Sequence, residues 1–262
     1  MRQEFHRLRI YVQYKEVTAT TWLCKLYGAI SDLSNYLVST EGEMLAQAIH
    51  KNIGCEDWLE IGYPGNEAYY IFHNRRKARV KCLASGWTMI QRREDGSTNF
   101  TQNWEGYKQG FGDPSGEYWL GNEMLHQLTK DSPMDIYLRA WSFDGKYIGV
   151  KYWGFWIEDE ANKYRLHAGT YFGGSEANSG NWLGLDGAFF STPDRDNDAH
   201  SNHCAKSYKA GWWMTGCGKI GLNGVYSQTA GIPDKKGIFW RSFRGDSTSL
   251  KAVTINIRRP LV

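Results

Sequence analysis

The first fifty residues combine a helical spacing of apolar positions with frequent polar interruptions. Five apolar residues recur at spacings of 3, 4, 7 and 4: Ile30, Leu33, Leu37, Met44 and Ala48. This periodicity predicts one face of an α-helix, but the stripe is short for a coiled coil. We interpret residues 1–54 as a helical or stalk-like segment. It is either one amphipathic helix packed on its neighbour or the stub of a stalk that joins chains into a homo-oligomer.

After Gly54 the pattern changes to the alternation that is typical of short strands. Alternating positions predict five strands: Ala68–Phe72, Ala78–Lys81, Trp87–Arg92, Asp135–Ala140 and Lys146–Trp153. The dipeptide Asp144-Gly145 between the last two is a strong hairpin signal. Trp104–Gly110 and Asn122–Thr129 are predicted as short helices. Gly, Asn, Ser and Asp are so frequent over 171–237 that we expect long ordered loops there.

The composition supports a chain of strands and turns. Its 262 residues include 12 Trp, 16 Tyr, 11 Phe and 29 Gly, which favours tight turns and aromatic surfaces over long helices. The net charge of +3 argues against nucleic acid as a partner through bulk charge. No run approaches the roughly 18 apolar residues of a membrane span. Tyr11–Ile30 is broken by charged residues, so we identify no credible signal peptide.

Cysteines, a sequon and a basic run are further candidates for function. The five cysteines allow many pairings, and counting alone leaves them open. Asn99-Phe100-Thr101 is an acceptor sequence for N-glycosylation, which matters only in the secretory pathway. The basic run at positions 75–81 either binds a sulfated polysaccharide or another polyanion, or is a solvated hairpin tip.

The densest polar cluster is the segment Asp194–Asn202, where carboxylates alternate with other side chains. Alternate carboxylates of an extended loop point to one side, as Ca²⁺ requires with its shell of roughly six to eight oxygen atoms. An EF-hand loop starting at Asp194 is excluded, because Ala199 stands where Gly is needed and Ala205 where Glu is needed. The segment is therefore either another kind of Ca²⁺ site or a solvated acidic turn.

Zinc binding and catalysis are the other chemistries that these side chains suggest. His200, His203, Cys204 and Cys217 are possible zinc ligands, but the adjacency of His203 and Cys204 makes it strained for both to face one ion. Ser, His and Asp are present, yet no nucleophile elbow, Cys/His motif or P-loop frames them. We therefore expect that the protein is not an enzyme.

Several motifs in order along the chain carry a family resemblance. They are Gly86–Gly96, Trp104–Gly112, Gly116–Glu123, Asp194–Asp198, Cys204-Ala205, Gly211–Trp213, Leu222–Gly224 and Ile257-Arg258. Together they resemble the fibrinogen C-terminal domain from about Cys55 to Arg258. The resemblance implies an α+β domain over residues 55–262. Its expected parts are a small N-terminal subdomain, a central antiparallel sheet with short helices, and a loop-rich, Ca²⁺-binding C-terminal subdomain.

The resemblance also implies the covalent and metal-binding framework. The implied disulfide bridges are Cys55–Cys82 and Cys204–Cys217, which leave Cys24 over. Ca²⁺ is the implied cofactor. Its implied ligands are two aspartate side chains and two main-chain carbonyl groups, in the order Asp196, Asp198, His200 and Asn202.

A ligand pocket is implied beside the Ca²⁺ site, next to the second bridge. In ficolins and tachylectins this pocket accepts acetyl groups. Tyr208 matches an aromatic wall of the lectin pocket. The family shapes the pocket with a non-proline cis peptide, which corresponds to Gly216–Cys217 here.

Three further pocket positions depart from the lectin pattern. Gly218 stands where lectins usually carry His. By a count without gaps, Asp234 and Asp246 stand where aromatic residues are expected, unless the loop after Gly224 folds differently. These changes disfavour a neutral methyl group as ligand, and the pair Cys217-Gly218 is more similar to angiopoietins.

The resemblance implies two main functions. The first is a secreted, Ca²⁺-binding, lectin-like protein that recognises glycans or acetylated surface groups in innate recognition. The alternative is an angiopoietin-like soluble ligand of a cell-surface receptor, with a structural role in matrix or clot as a third possibility. We therefore expect an extracellular protein, although no signal peptide is visible.

Overall fold

The computed structural model describes residues 54–60, 65–74, 76–174, 185–217, 219–231, 237–245 and 247–260. The predicted helical stripe, Cys24, Gly218, Asp234 and Asp246 lie outside the described residues.

The described chain forms short helices and strands that follow one another in a mixed order. The strands are β1 Glu67–His73, β2 Arg76–Cys82, β3 Thr88–Arg93, β4 Phe111–Gly112, β5 Tyr118–Trp119, β6 Met134–Ser142, β7 Tyr147–Ile157, β8 Leu166–His167, β9 Tyr171–Gly174, β10 Phe190–Ser191, β11 Trp212–Trp213, β12 Ile220–Gly221, β13 Phe239–Trp240 and β14 Leu250–Arg258. The helices are α1 Cys55–Glu60, α2 Trp104–Gln109, α3 Asn122–Thr129, α4 Cys204–Tyr208 and α5 Arg241–Arg244.

A ten-stranded sheet organises the described fold, and its pairs are antiparallel. Its main path runs β1-β2-β3-β14-β6-β7-β8, so the last strand of the chain lies in the middle of the sheet. The β4–β5 hairpin joins at β3, and β9 joins at β7. Two small sheets, β10–β11 and β12–β13, belong to the loop-rich C-terminal part. The expected α+β class with a central antiparallel sheet is confirmed.

The structure corrects several local predictions. Helix α3 has the predicted bounds, whereas α2 ends one residue early because Gly110 adopts a φ of 91° that ends the helix. Strand β2 begins at Arg76, two residues before the predicted start at Ala78, so most of the basic run lies within a strand and not at a hairpin tip. The stretch 171–237, expected as loops, also contains α4 and the short strands β9 to β12.

Alternation along β6 and β7 explains how the sheet buries one side. Ile136, Leu138 and Ala140 of β6 are buried, while Tyr137 and Arg139 between them remain partly exposed. This is the period of two that the sequence predicts. Burying each large apolar side chain stabilises the fold by about 1.5–3 kcal/mol relative to exposure.

Aromatic contacts connect the sheet to the loop-rich part. Phe190 of β10 lies 5.1 Å from Trp213 of β11 and 6.1 Å from Trp119 of β5, measured between ring centres. The indole N–H of Trp213 donates to the carbonyl oxygen of Tyr164 at 2.7 Å. These contacts fix β10, and therefore the position of the acidic loop that follows it.

Candidate calcium loop and ligand cleft

The acidic loop between β10 and α4 is anchored at its start. The main chains of Thr192 and Arg195 exchange two hydrogen bonds of 2.9 and 3.0 Å, which close a tight turn. Asn197 then donates through its backbone N–H to Ser191 Oγ at 3.0 Å and through Nδ2 to the Phe190 carbonyl at 2.8 Å. The residues after Asn197 therefore start from a fixed position beside β10.

Asp194, the first carboxylate of the segment, is hydrogen-bonded to the N-terminus of α2. Its Oδ1 accepts hydrogen bonds from Trp104 N at 2.9 Å and from Thr192 Oγ1 at 2.7 Å. Because Trp104 begins α2, the negative charge there stabilises the helix by about 0.3–1 kcal/mol. The Arg195 guanidinium lies 4.1 Å from the centre of the Trp104 ring. Both side chains thus join the loop to α2.

Asp198 organises the second half of the loop. Its Oδ1 accepts from His200 N at 2.8 Å, and its Oδ2 accepts from Cys204 N at 3.0 Å. Asp196 Oδ1 accepts from Asp198 N at 3.2 Å. His200 turns its own ring onto the loop, since Nδ1 accepts from Asn202 N at 3.0 Å. One carboxylate therefore ties the loop to the first residue of α4.

The oxygen atoms of this loop fit Ca²⁺. A carboxylate offers about four lone pairs, so Asp198 keeps acceptor capacity after its two hydrogen bonds. Among the described residues, no group donates to Asp196 Oδ2 or to the His200 carbonyl oxygen. The Asn202 carbonyl lies 3.5 Å from Cys204 Sγ and 3.8 Å from Cys217 Sγ. Bridged sulfur atoms carry no proton, so these are not hydrogen bonds and the carbonyl remains an acceptor.

The zinc interpretation is wrong. Ligand atoms of His200, Cys204 and Cys217 do lie within 4.8 Å of one another. However, Cys204 and Cys217 form a disulfide bridge, and bridged sulfur is not the thiolate that zinc needs. His203 Nε2 instead contacts the Thr192 carbonyl at 3.0 Å. The other implied bridge, Cys55–Cys82, is also present and joins α1 to β2.

The implied ligand pocket involves Tyr208 and Gly216. In sequence, both residues lie between the two cysteines of the Cys204–Cys217 bridge, after the carboxylates of the acidic loop. Tyr208 ends α4 and is 7% exposed. Its ring meets the edge of Phe239 in β13, with 5.5 Å between the ring centres. A side chain at Gly216 would meet nothing within 4 Å, so the space beside this residue is open. Tyr208 is therefore almost completely buried, with Phe239 of β13 against its ring, and its role as a pocket wall stays a prediction.

The implied cis peptide at Gly216–Cys217 is wrong for this chain, because the described backbone contains no cis peptide bond. A cis bond that does not precede proline costs about 3 kcal/mol. Such a bond persists only where surrounding structure enforces it. Roles for Gly218, Asp234 and Asp246 stay predictions, since these positions lie outside the described residues.

A cavity between the start of β12 and the start of α5 was not anticipated from the sequence. It measures about 240 Å³ and is lined by Lys219, Ile220, Arg241 and Ser242. Pairing of β12 with β13 places Ile220 opposite Trp240, and Arg241 N donates to the Lys219 carbonyl at 3.0 Å. Lys219 and Arg241 are exposed, so two cations border the opening. We call the region of Tyr208, Gly216, Lys219 and Arg241 the cleft.

The sheet order, the two bridges and the acidic loop before the second bridge together suggest a known domain family. The family profile described as the C-terminal globular domain of fibrinogen beta and gamma chains matches residues 51–260. The chain belongs to this family. Membership confirms the expectation that this fibrinogen domain is not an enzyme, because the family consists of ligands and structural proteins.

Curated proteins that are similar to this fibrinogen domain include an angiopoietin and a fibroleukin. It is 43% identical to human angiopoietin-4 over 189 residues, or 70% of this chain and 37% of the relative. It is 37% identical to fibroleukin of Bos taurus over 221 residues, or 78% of this chain and 50% of the relative. The fibrinogen-like globe domain of human ANGPTL6 superposes with a TM-score of 0.74 at 35% identity, covering 80% of this chain and 96% of that chain. The chain thus spans half or less of the length of the two curated relatives.

A buried polar network holds the loop-rich part of the fibrinogen domain on the central sheet. Gln91 of β3 donates through Nε2 to the Leu222 carbonyl at 3.0 Å and to Asn223 Oδ1 at 3.1 Å. Asn223 Nδ2 donates to the Gly211 carbonyl at 3.0 Å. This network fixes the residues that follow β12, and so helps to hold the cleft on the central sheet.

Within the described residues, no helix is long and apolar enough to cross a membrane.

The remaining candidate residues lie on the surface. Asn99 is exposed, and its Oδ1 accepts from Thr101 N at 2.9 Å, so the sequon is accessible; its glycosylation stays a prediction. In the basic strand β2, Arg76 pairs with Glu123 at 3.2 Å and Arg79 with Asp113 at 2.8 Å. These ion pairs reduce the positive charge that β2 presents to a polyanion.

Proposed function

We propose that this fibrinogen domain is the recognition module of an extracellular protein that acts as a soluble ligand of a cell-surface receptor. The observation that carries the proposal is its 43% identity to human angiopoietin-4 over 70% of the chain. The two disulfide bridges support an oxidising, extracellular location, because such bridges are rare in reducing compartments. Lectin activity toward acetylated glycans receives less support, since Lys219 and Arg241 line the cavity whereas an acetyl group is neutral, and the curated relatives include angiopoietins.

Ca²⁺ binding belongs to the same proposal. The side chains of Asp196 and Asp198 and the carbonyl groups of His200 and Asn202 are the residues that would hold the ion. When bound, Ca²⁺ would supply a fixed positive charge that holds these oxygen atoms together. Asp198 also accepts from Cys204 N, the first residue of α4, and α4 ends at Tyr208. An ordered loop would therefore hold α4 in place, and with it Tyr208 of the cleft.

The cleft is the proposed contact surface for the receptor. The cavity lined by Lys219 and Arg241 is concave, and these two exposed cations offer contacts to an acidic protein segment. Next to it in the β12–β13 pair, Phe239 packs edge-on against Tyr208. Concave sites with a few charged groups at the rim are typical positions for partner recognition.

Cell binding of the fluorescently labelled full chain tests the proposal. We expect saturable binding to at least one of several cultured cell types, and we expect mild trypsin treatment of the cells to abolish it if the receptor is a protein. Excess unlabelled chain should compete, whereas N-acetylglucosamine should not. Lys219→Gln with Arg241→Gln should weaken binding by about tenfold, as expected for two rim charges. Lys130→Gln, an exposed lysine on α3's C-terminal side, is the matched control.

One result would contradict the receptor function, and another would contradict only the cleft as its contact surface. Trypsin-resistant binding that N-acetylglucosamine displaces would support the lectin function instead. Binding that is unaffected by the double cleft variant but still trypsin-sensitive would keep the receptor and move its contact away from the cleft.

A further inference from the structure

One side of β6 and β7 faces away from the core and carries aromatic and cationic side chains. Ile148, Val150 and Tyr152 of β7 are completely buried, so the residues that alternate with them point outward. In register, Tyr137 lies opposite Lys151 and Trp141 opposite Tyr147. We call this surface the outer face. It consists of Tyr137, Arg139, Trp141, Tyr147, Lys151 and Trp153.

Two tyrosines lie flat across the centre of the outer face. The hydroxyl oxygens of Tyr137 and Tyr147 are 2.6 Å apart. A Cβ atom at Gly149 would lie 2.4 Å from Tyr147 Oη and 2.9 Å from Tyr137 Oη. Both hydroxyl groups therefore cover Gly149, and a residue with a side chain there would push the rings outward. The absence of a side chain at Gly149 makes this part of the face flat.

Exposed aromatic rings continue the surface toward β9. Trp153 is 40% exposed and stacks on Phe172, with ring centres 3.6 Å apart. At the other end, Tyr147 is 36% exposed and packs against Trp141 at 5.3 Å. Trp153 follows Tyr147 by six positions in β7, a distance of about 20 Å along the strand. The face is thus a shallow, elongated surface with aromatic rings at both ends.

Two cations of the outer face lie over the ring of Tyr137. Lys151 Nζ lies 4.8 Å from the centre of the Tyr137 ring, and the Arg139 guanidinium lies 5.4 Å from the same ring. Arg139 Nε donates to Thr254 Oγ1 at 3.1 Å. In the described part of the chain, neither cation forms an ion pair; the nearby carboxylate of Asp135 pairs with Arg258 instead. Cation–π contacts orient both charges but do not neutralise them.

The charge of the outer face restricts what can cover it. A second copy of the chain in a two-fold dimer would place Arg139 and Lys151 against the same cations, which repel. An uncharged partner would remove both cations from water without compensation. A linear polyanion offers charges along an elongated surface, and its sugar rings have apolar faces that stack on exposed aromatic side chains. Arg139 adds a planar fork that suits an oxyanion.

We propose that the outer face binds a sulfated polysaccharide, with sulfate groups at Arg139 and Lys151 and sugar rings on Tyr147 and Trp153. This inference is independent of the receptor proposal, because the outer face is a different surface from the cleft. It also differs from the expectation for strand β2, where two of the cations already pair with carboxylates.

Titration of the full chain with a heparin oligosaccharide at several salt concentrations tests the inference. Arg139→Gln with Lys151→Gln should weaken binding by about tenfold and lower the slope of log K against log salt by about two, one for each lost contact. Trp153→Ala should weaken binding while leaving the salt slope unchanged, because it removes stacking and no charge. The matched control is Arg76→Gln with Arg79→Gln in β2, which should retain most of the affinity. Equal melting temperatures would establish that the exposed substitutions leave the fold intact.

Three outcomes would overturn the inference. If heparin fails to bind at low salt, the outer face is left for a protein partner. If the β2 variant loses binding while the outer-face variant keeps it, the polyanion site is the basic strand. If chemically desulfated heparin binds equally well, sulfate is not what the two cations recognise.

Discussion

Glu117 Oε1 lies 3.5 Å from Arg93 Nε, although both side chains are almost completely buried. The pair joins β3 to the segment that precedes β5. Arg93 Nη1 also donates to the Gly224 carbonyl at 2.7 Å, and Glu117 accepts from the backbone N–H of Glu94 at 2.8 Å. Burial lowers the pKa of Arg93 to about 10, while the negative charge of Glu117 acts in the opposite direction. The guanidinium therefore stays protonated at neutral pH.

Removing one member of this pair should strongly destabilise the domain. Arg93→Leu leaves the Glu117 carboxylate buried without its cation, and the expected loss is about 3–5 kcal/mol in the free energy of unfolding. Urea unfolding followed by tryptophan fluorescence measures it. The control is Arg79→Gln, which breaks the exposed pair with Asp113 and should cost less than about 1 kcal/mol. Similar losses in the two variants would contradict the special role of the buried pair.

The two bridges should be oxidised in native material. Peptide mapping without reductant should recover Cys55 with Cys82 and Cys204 with Cys217, and Cys24 either as a free thiol or linked to a second chain. Replacing both Cys204 and Cys217 with alanine should lower the free energy of unfolding by about 3 kcal/mol, because the bridge restricts the unfolded chain. Recovery of Cys204 and Cys217 as free thiols would remove the covalent support of the cleft.

The regular part of this fold was predictable from local sequence. The hairpin of β6 and β7 has alternating apolar positions. The dipeptide Asp144-Gly145 predicts a turn that needs a positive φ, and Gly145 adopts a φ of 80° there. Helix α3 was found with its observed bounds because its apolar positions recur with helical spacing. Both elements are determined mostly by interactions between near neighbours in the chain.

The cleft and the short strands around it were not predictable in this way. Strands β10 and β11 have two residues each, too few for a period, and depend on Phe190 meeting Trp213 across the sequence. The cavity exists because Ile220 lies opposite Trp240, which brings Lys219 close to Arg241. In the acidic loop, residue types indicated an oxygen-rich site, but they did not reveal that Asp194 serves α2.

His73 should make stability depend on mildly acidic pH. Burial lowers the pKa of His73 below its ordinary value of 6.5, and Arg259 and Lys130 act in the same direction while Asp131 opposes them. The unfolded chain therefore binds a proton more readily than the folded one. Stability is fully present above pH 6.5 and falls as the pH drops toward the lower, folded pKa. His73→Gln should flatten this part of the stability profile, measured by urea unfolding at a series of pH values.

The pH range above 7.5 is the internal control, because His73 is then neutral in both states. There, the variant and the parent protein should show parallel profiles. Parallel profiles below pH 6.5 as well would mean that another group causes the acid sensitivity.

Ca²⁺ should stabilise the folded domain, because the loop oxygens are brought together only in the native state. At a hundredfold excess over Kd, mass action contributes about 2.7 kcal/mol. For a domain of this size, that corresponds to a melting temperature about 5–10 °C higher in Ca²⁺ than in chelator. Asp198→Ala should abolish this difference, since it removes a carboxylate ligand along with the acceptor for His200 N and Cys204 N.

His200→Ala is the informative control for the Ca²⁺ site. If His200 binds the ion through its main-chain oxygen, alanine keeps that ligand and most of the Ca²⁺-dependent shift. The substitution does remove the ring nitrogen that accepts from Asn202 N, so both melting temperatures should fall together. Equal melting temperatures of the parent protein in Ca²⁺ and in chelator, with the metal verified as removed, would exclude a stabilising site in this loop. A shift that survives in Asp198→Ala would place the ion elsewhere, because the loop would then have lost the carboxylate that ties it to α4.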